Sequence, residues 1–489
     1  MPDKSLKQKA VSGIFWTIAQ RFSSIFIQFL SGIVLARLLS PDDYGCIGML
    51  AIFMLLASTF TDGGFGSALI QKKNPTQEDY STIFYWNVAI SVVIYLILFV
   101  SAPLIASFYR IELLCPVLRI QGLVVIVNAF QVVQIARLNK LFQFKKISIV
   151  TLLSSIVSLV TTIILAYRGF GVWSLVTQHL LMAMIPTFIY WTTNKWKPIL
   201  TFSKKSFEEL FSFGIFMFLT TLLSTFVNNV QGLLIGKLYS PSTMGYYSKA
   251  QSTEKLAATS LSQVISQVSY PLYAELQDDK ERLVGVIKKL TISTAFMTFP
   301  LMLLLVLVAK PVFVLLYSEK WIPAVPFFQI LCVAGLAICL QAVNSQAIAA
   351  VGKSKAMFSW SVVKQFTGLG FMLVGFFMFG MKGLLIGMVM KSWLIFLINA
   401  SLVSYFIGYK LVRQLLDLLP VLLLALVSFL GAYYIASFIE CSMYINALTR
   451  IVVFVVIYFV GSVITKLYAF SLCKDLLSPY LNKFLRMAK

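Results

Sequence analysis

Seven ionisable side chains stand inside long apolar stretches, and their signs are unequal. Arg21, Lys249, Lys255, Lys364 and Lys391 are cations, while Asp62 and Glu254 are the only carboxylates among them. A charge at the centre of a bilayer costs about 2.5–3.5 kcal/mol on insertion scales, so each is a functional candidate. Guanidinium and ammonium groups gathered in one wet site suit phosphate or carboxylate. A cation exporter would instead want intramembrane acids.

Uncharged polar residues accompany them at helical spacing. Arg21, Ser24, Gln28 and Ser31 share one helix face, and Thr221, Ser224, Asn228 and Gln231 form a second stripe. Ser248, Ser252, Lys255, Thr259, Ser262 and Ser266 run along a third face, with Lys249 and Glu254 beside it. No lipid-facing helix could carry that face, so it must line water or a polar partner. The candidate substrate-binding set is therefore Arg21, Ser24, Gln28, Asn228, Lys249, Ser252, Lys255, Thr259, Lys364 and Lys391. Asp62 and Glu254 are the candidates for ion coupling or gating.

Plainer readings stand beside these. The stripes could serve helix–helix hydrogen bonding, and Lys249 could snorkel to the interface. Asp62 could pair with Arg21, close an inner gate beside Gly63 and Gly64, or be held at a helix end by backbone amides. Lys364 and Lys391 could pair inside their own bundle. The single histidine, His179, reads as a core residue.

Signs of enzyme chemistry are absent from the sequence. No GxxxxGK[ST] loop and no nucleophile elbow occur, one histidine cannot build a His-based metal site, and the six cysteines form no CxxC pair. The expectation is a transporter with no catalytic residues, no metal and no cofactor beyond coupled protons or sodium.

The elements that would position these residues are membrane helices. Of 489 residues, 59% are hydrophobic and only 12% charged, half the usual share of about 25%, and mean hydropathy is +0.88. Apolar segments of about 20 residues, enough for a ~30 Å hydrocarbon core, recur along the whole chain, and fourteen spans are expected. The net charge of +22 does not point to nucleic acid. Most of the Lys and Arg fall in alternate loops and at both termini, while the opposite loops hold a scatter such as Arg37, Arg110, Arg168 and Lys237. That asymmetry predicts cytoplasmic termini, with basic loops facing anionic membrane lipid.

The chain also repeats itself. GIVLARLLSPDDYG from Gly32 recurs as GLLIGKLYSPSTMG from Gly232, and GIF at Gly13 recurs at Gly214. Six spans separate the copies, so both enter the membrane in the same direction. The predicted fold class is an all-α polytopic membrane protein: two parallel-repeat six-helix lobes around a central cavity, plus two C-terminal helices. The expected division is an N-lobe over 1–194, a cytoplasmic linker at 195–206 and a C-lobe over 207–410. Helices 13 and 14 follow at 411–470, then a cytoplasmic amphipathic tail at 471–489.

Four strings carry a family resemblance: GIFWTIAQR at Gly13, LARLLSPDDYG at Leu35, FTDGGFGSALIQ at Phe60, and MGYYSKA followed by LSQVISQVSYPLYAELQDD from Met244. With them the chain resembles the Wzx-like polysaccharide repeat-unit flippases of the multidrug/oligosaccharidyl-lipid/polysaccharide exporter superfamily, in the subgroup handling colanic- or teichuronic-acid-type polymers. The resemblance implies alternating access in a bacterial cytoplasmic membrane, with an undecaprenyl-diphosphate-linked oligosaccharide as substrate. A polysaccharide polymerase and export machinery would act alongside. Arg21 and Lys249 match positions that are typically basic in the subgroup, and Asp62 matches its acid in span two. A peptidoglycan-precursor flippase and an ion-coupled multidrug antiporter of the same superfamily are the alternatives.

Overall fold

The computed structural model describes residues 4–438 and 442–472, so Cys441, Cys473 and nearly all of the expected 471–489 tail lie outside the described residues. The described chain is helical and contains no β-strand. Its helices are α1 (Lys4–Leu38), α2 (Pro41–Asp62), α3 (Phe65–Gln71), α4 (Gln77–Tyr109), α5 (Leu114–Gln121), α6 (Leu123–Lys140), α7 (Phe144–Tyr167) and α8 (Val172–Thr193). There follow α9 (Lys204–Leu238), α10 (Pro241–Glu275), α11 (Lys280–Leu307), α12 (Ala309–Tyr317), a 3-10 turn (Glu319–Ala324), α13 (Val325–Ala350), α14 (Ser354–Phe406), α15 (Leu411–Ser437) and α16 (Met443–Ile464).

The repeat is visible in the helix limits. α1 and α9 are each 35 residues long and begin 200 residues apart, as do α2 and α10. The repeated Ser-Pro supplies the reason. Ser40 caps α2 through the amide of Asp43, whose carboxylate returns to the Ser40 amide, and Pro41 takes the first helical position. Ser240 likewise accepts from the Thr243 amide, ahead of Pro241.

Among the described residues, twelve helical segments are long and apolar enough to cross a membrane. A fourteen-span reading further requires α10 to cross despite its polarity and α14 to cross twice. α14 has the break for this: Phe379 and Gly380 leave helical geometry, Gly380 with φ 58° and ψ −137°, a region only glycine enters readily. Its two arms then fold back closely, Gly375 and Gly383 each lying against the other's backbone, as small residues permit in lipid. Large apolar side chains such as Val100, Leu104, Phe188 and Phe377 are exposed, the surface a hydrocarbon solvent would cover.

The chain packs as two compact units, Met1–Ser248 and Lys249–Lys489. In the first, α9 packs on α2, α3 and α4, and α1 packs on α7. Residues 194–203 are stitched to the start of α4. Trp196 Nε1 donates to Gln77 Oε1 at 2.7 Å, and the Ile199 and Ser203 amides donate to Ser81 Oγ and Thr82 Oγ1. Trp196 is buried among Tyr80, Phe84 and Trp191 in an aromatic cluster. Lys72 closes this end by pairing with Asp79 at 3.1 Å and Glu209 at 2.9 Å. Burial alone would push its ammonium down, but hydrogen bonds to Glu209 and Asp79 hold it above its ordinary range.

In the second unit α13 packs on α11 and α14, while α15 packs on α11 and α16. Buried Gln414 of α15 donates to the carbonyls of Ala400 and Tyr409. Asp417 receives Lys288 Nζ and Tyr409 Oη, each at 2.7 Å.

Candidate functional site

Beside the polar face of α10, Lys249 is only 4% exposed. Its Nζ lies 4.0 Å from the ring centre of Tyr317 and 5.9 Å from that of Trp321. A cation over a buried aromatic face gains up to about 2 kcal/mol when desolvated. The rings are held in turn, since Tyr317 Oη meets Thr253 Oγ1 at 3.1 Å and Thr253 donates to the Lys249 carbonyl at 2.8 Å. At this burial Lys249 does not snorkel to solvent.

Glu254 is also 4% exposed. Its Oε1 is buried with no hydrogen-bond partner among the described residues and lies against Gly335 of α13, where a side chain would strike it. Lys255 and Ser252 are exposed on a separate face, and among the described residues Glu254 and Lys255 form no ion pair. The Thr259 side chain lies outside what the structure describes.

The internal repeat shows what this helix would contain if only packing mattered. At an offset of 200, Lys249 stands where the first copy has Met49, Glu254 where it has Met54, and Lys255 where it has Leu55. Burial follows the same pattern, for Met49 and Met54 are buried and Leu55 exposed. The aromatic partner recurs as well: Tyr109 Oη reaches the Met49 carbonyl, as Tyr317 seats Lys249. The second copy therefore carries two buried charges at positions the fold can fill with methionine. A buried charge inside a membrane helix is a candidate for function.

Lys364 and Lys391 sit on the two arms of α14. Lys391 is 9% exposed, and its aliphatic stem crosses Gly368, leaving no room there for a side chain. Lys364 Nζ donates to Asn399 Oδ1 at 2.8 Å, so its partner is an amide and not an acid. α13 links this region to Glu254 at one level: Ser392, next to Lys391, donates to the carbonyl of Ala334, beside Gly335.

In the first unit the stripe on α1 divides. Ser31 accepts from Gln178 at 3.3 Å, a helix–helix bond. Ser24 Oγ is buried without a partner among the described residues, whereas Gln28 is exposed. Arg21 is half-buried and among the described residues forms no ion pair. Asn228 is exposed on α9. Asp62 ends α2 as an exposed residue with its Oδ1 beside Gly66, and among the described residues it neither pairs with Arg21 nor accepts from a backbone amide. A helix C-terminus repels negative charge, so the end of α2 does not itself favour an acid. Gly63 and Gly64 follow at φ 51° and 75°, and Gly214 of α9 fits against the Gly63 carbonyl. His179 meets Gln121 at 3.1 Å, a core contact.

Tyr317 and Trp321 were not legible as site residues, because nothing in their spacing ties them to Lys249. A comparison of the copies position by position would have pointed at Lys249 and Glu254 directly.

A family model described as "Polysaccharide biosynthesis protein" matches residues 34–326. The teichuronic acid biosynthesis protein TuaB of Bacillus subtilis (strain 168) is 25% identical over 73% of this chain and 74% of its own. The lipopolysaccharide biosynthesis protein WzxC of Escherichia coli (strain K12) is 24% identical over 83% and 82%. Among solved structures, the lipid II flippase MurJ in an inward closed conformation superposes with a TM-score of 0.74 at 17% identity, covering 93% of this chain and 99% of that one. That likeness concerns the fold.

Proposed function

Because the chain belongs to the polysaccharide biosynthesis protein family, we propose that it is a flippase. It carries undecaprenyl-diphosphate-linked oligosaccharide repeat units from the inner to the outer leaflet of a bacterial cytoplasmic membrane. The observation that carries the reading is the seat of Lys249: an ammonium held against Tyr317 and Trp321 where the first copy uses Met49.

The chemistry follows from the barrier. A diphosphate cannot enter hydrocarbon unpaired, and fixed cations in a wet path replace its hydration at lower cost. Arg21, Lys249, Lys255, Lys364 and Lys391 supply positive charge, and Ser24, Gln28, Asn228, Ser252 and Thr259 bond to sugar hydroxyls. The polyprenyl tail stays in lipid throughout. Asp62 and Glu254 couple the cycle to protons or sodium. Alternating access needs an end that closes, and the tightly packed first turns of α2 and α10 serve as that closure.

The test is deletion and complementation in the native bacterium. Loss of surface polysaccharide with lipid-linked repeat units accumulating on the inner leaflet supports the reading. Unchanged polymer with altered drug sensitivity would replace it with an antiporter.

A further inference from the structure

A second cationic place, made of none of these residues, lies at the Lys/Arg-rich end of the first unit. There the ends of α6, α7 and α8 enclose an open cleft of about 340 Å³, within the roughly 300–1,000 Å³ of small-ligand sites. Arg137, Lys146 and Lys195 line it, and none of its lining residues is acidic. Lys146 is preset, donating to the Thr193 carbonyl at 3.1 Å and to Asn194 Oδ1. The Arg137 guanidinium is half-buried and forms no ion pair among the described residues.

Two further features point to the ligand. α7 starts at the cleft with Gln143 as an N-cap that makes no side-chain capping bond, so the positive end of a 24-residue helix adds to the three cations. Beside them Leu141 lines the cleft and is exposed, as is Phe142 in the same turn. A phosphate seat with exposed apolar side chains at its mouth fits a headgroup whose chains remain in the bilayer.

We propose that this cleft binds the phosphate of an anionic lipid in the leaflet at this end of the helices. The proposal rests on that end facing an anionic leaflet and is independent of what the protein transports. Such a lipid would tie together the ends of three helices and the chain at 193–195, next to the stitched segment that leads into α9.

Native mass spectrometry of the delipidated full chain tests it, with phosphatidylglycerol, phosphatidylcholine of the same chain length, or inorganic pyrophosphate added separately. Wild type should take up one phosphatidylglycerol in preference to phosphatidylcholine. Arg137→Gln should weaken that first binding about tenfold, the loss of one charge-assisted contact. Lys195→Gln, at an exposed position, should weaken it less and keeps the test open should Arg137→Gln fail to fold. Lys353→Gln, outside the cleft, should leave binding unchanged. Equal phosphatidylglycerol binding by wild type and both cleft variants would overturn the site. Arg137-dependent binding of pyrophosphate with no preference between lipids would overturn the lipid as its source.

Discussion

Gly45 and Gly245, 200 residues apart, make the same contact in opposite directions. Gly45 lies against the carbonyl of Pro241 and Gly245 against the carbonyl of Pro41, so closely that neither position has room for a Cβ. Between them Ser242 Oγ donates to Asp42 Oδ1 at 2.6 Å. The repeated Ser-Pro-x-x-x-Gly thus has two jobs: Ser and Pro start the helix, and Gly lets two such starts cross.

If this crossing is the closure, joining it should stop the cycle. With the native cysteines replaced, Asp42→Cys with Ser242→Cys should cross-link under mild oxidation, abolish export, and recover with reductant. Gly45→Ala and Gly245→Ala should each cost about 1–3 kcal/mol by overpacking. Full export by the cross-linked protein would remove the closure.

Lys249→Met restores the residue that the first copy carries at position 49. The variant should insert and unfold thermally like wild type, or be slightly more stable, because a buried charge has been exchanged for a shape the site accepts. Surface polysaccharide should fall to the level of the deletion strain. Tyr317→Leu should lose part of the cation–π contact, about 0.5–2 kcal/mol, and leave partial export.

Arg21→Ala and Lys255→Ala are expected to abolish export while the protein still reaches the membrane. Lys255 is exposed and Arg21 half-buried, so neither change opens a packed core. Immunoblotting of membrane fractions beside a polysaccharide assay checks both halves of the statement. Normal export by both variants would sink the cationic path.

Glu254 is predicted to carry the coupling. Glu254→Gln keeps the shape and removes the charge, so export should cease to respond to collapse of the proton or sodium gradient. An ionophore titration on wild type and variant measures this. An identical response in the two would free Glu254 of the role.

Trp196→Ala tests the stitching of residues 194–203. It removes a buried indole that bonds Gln77 and packs on Phe84, and should cost about 3–5 kcal/mol. A thermal unfolding curve on purified protein reads the loss.

The sequence showed membrane helices and their repeat, because hydropathy and recurring strings can be read directly along the chain. It also singled out Lys249, Glu254, Lys391 and Arg21 as charges inside apolar stretches. What surrounds them was not legible. Tyr317 is far from Lys249 along the chain, Gly335 is farther still from Glu254, and periodicity carries no information across such separations. Residues 195–206 read as a linker by their lysines, and Trp196, Ile199 and Ser203 bond to Gln77, Ser81 and Thr82 on a helix whose pattern is otherwise apolar. The division of the α1 stripe, with Ser31 bonded to Gln178 and Gln28 exposed, depends on which helix lies alongside.

The most direct test reconstitutes the purified chain in proteoliposomes with a fluorescent undecaprenyl-diphosphate oligosaccharide confined to one leaflet. Its arrival in the other leaflet is followed with a membrane-impermeant glycosidase. Wild type should move the lipid and Lys249→Met should leave it in place. Transfer no faster than in protein-free vesicles, or equal transfer by wild type and Lys249→Met, would contradict the account.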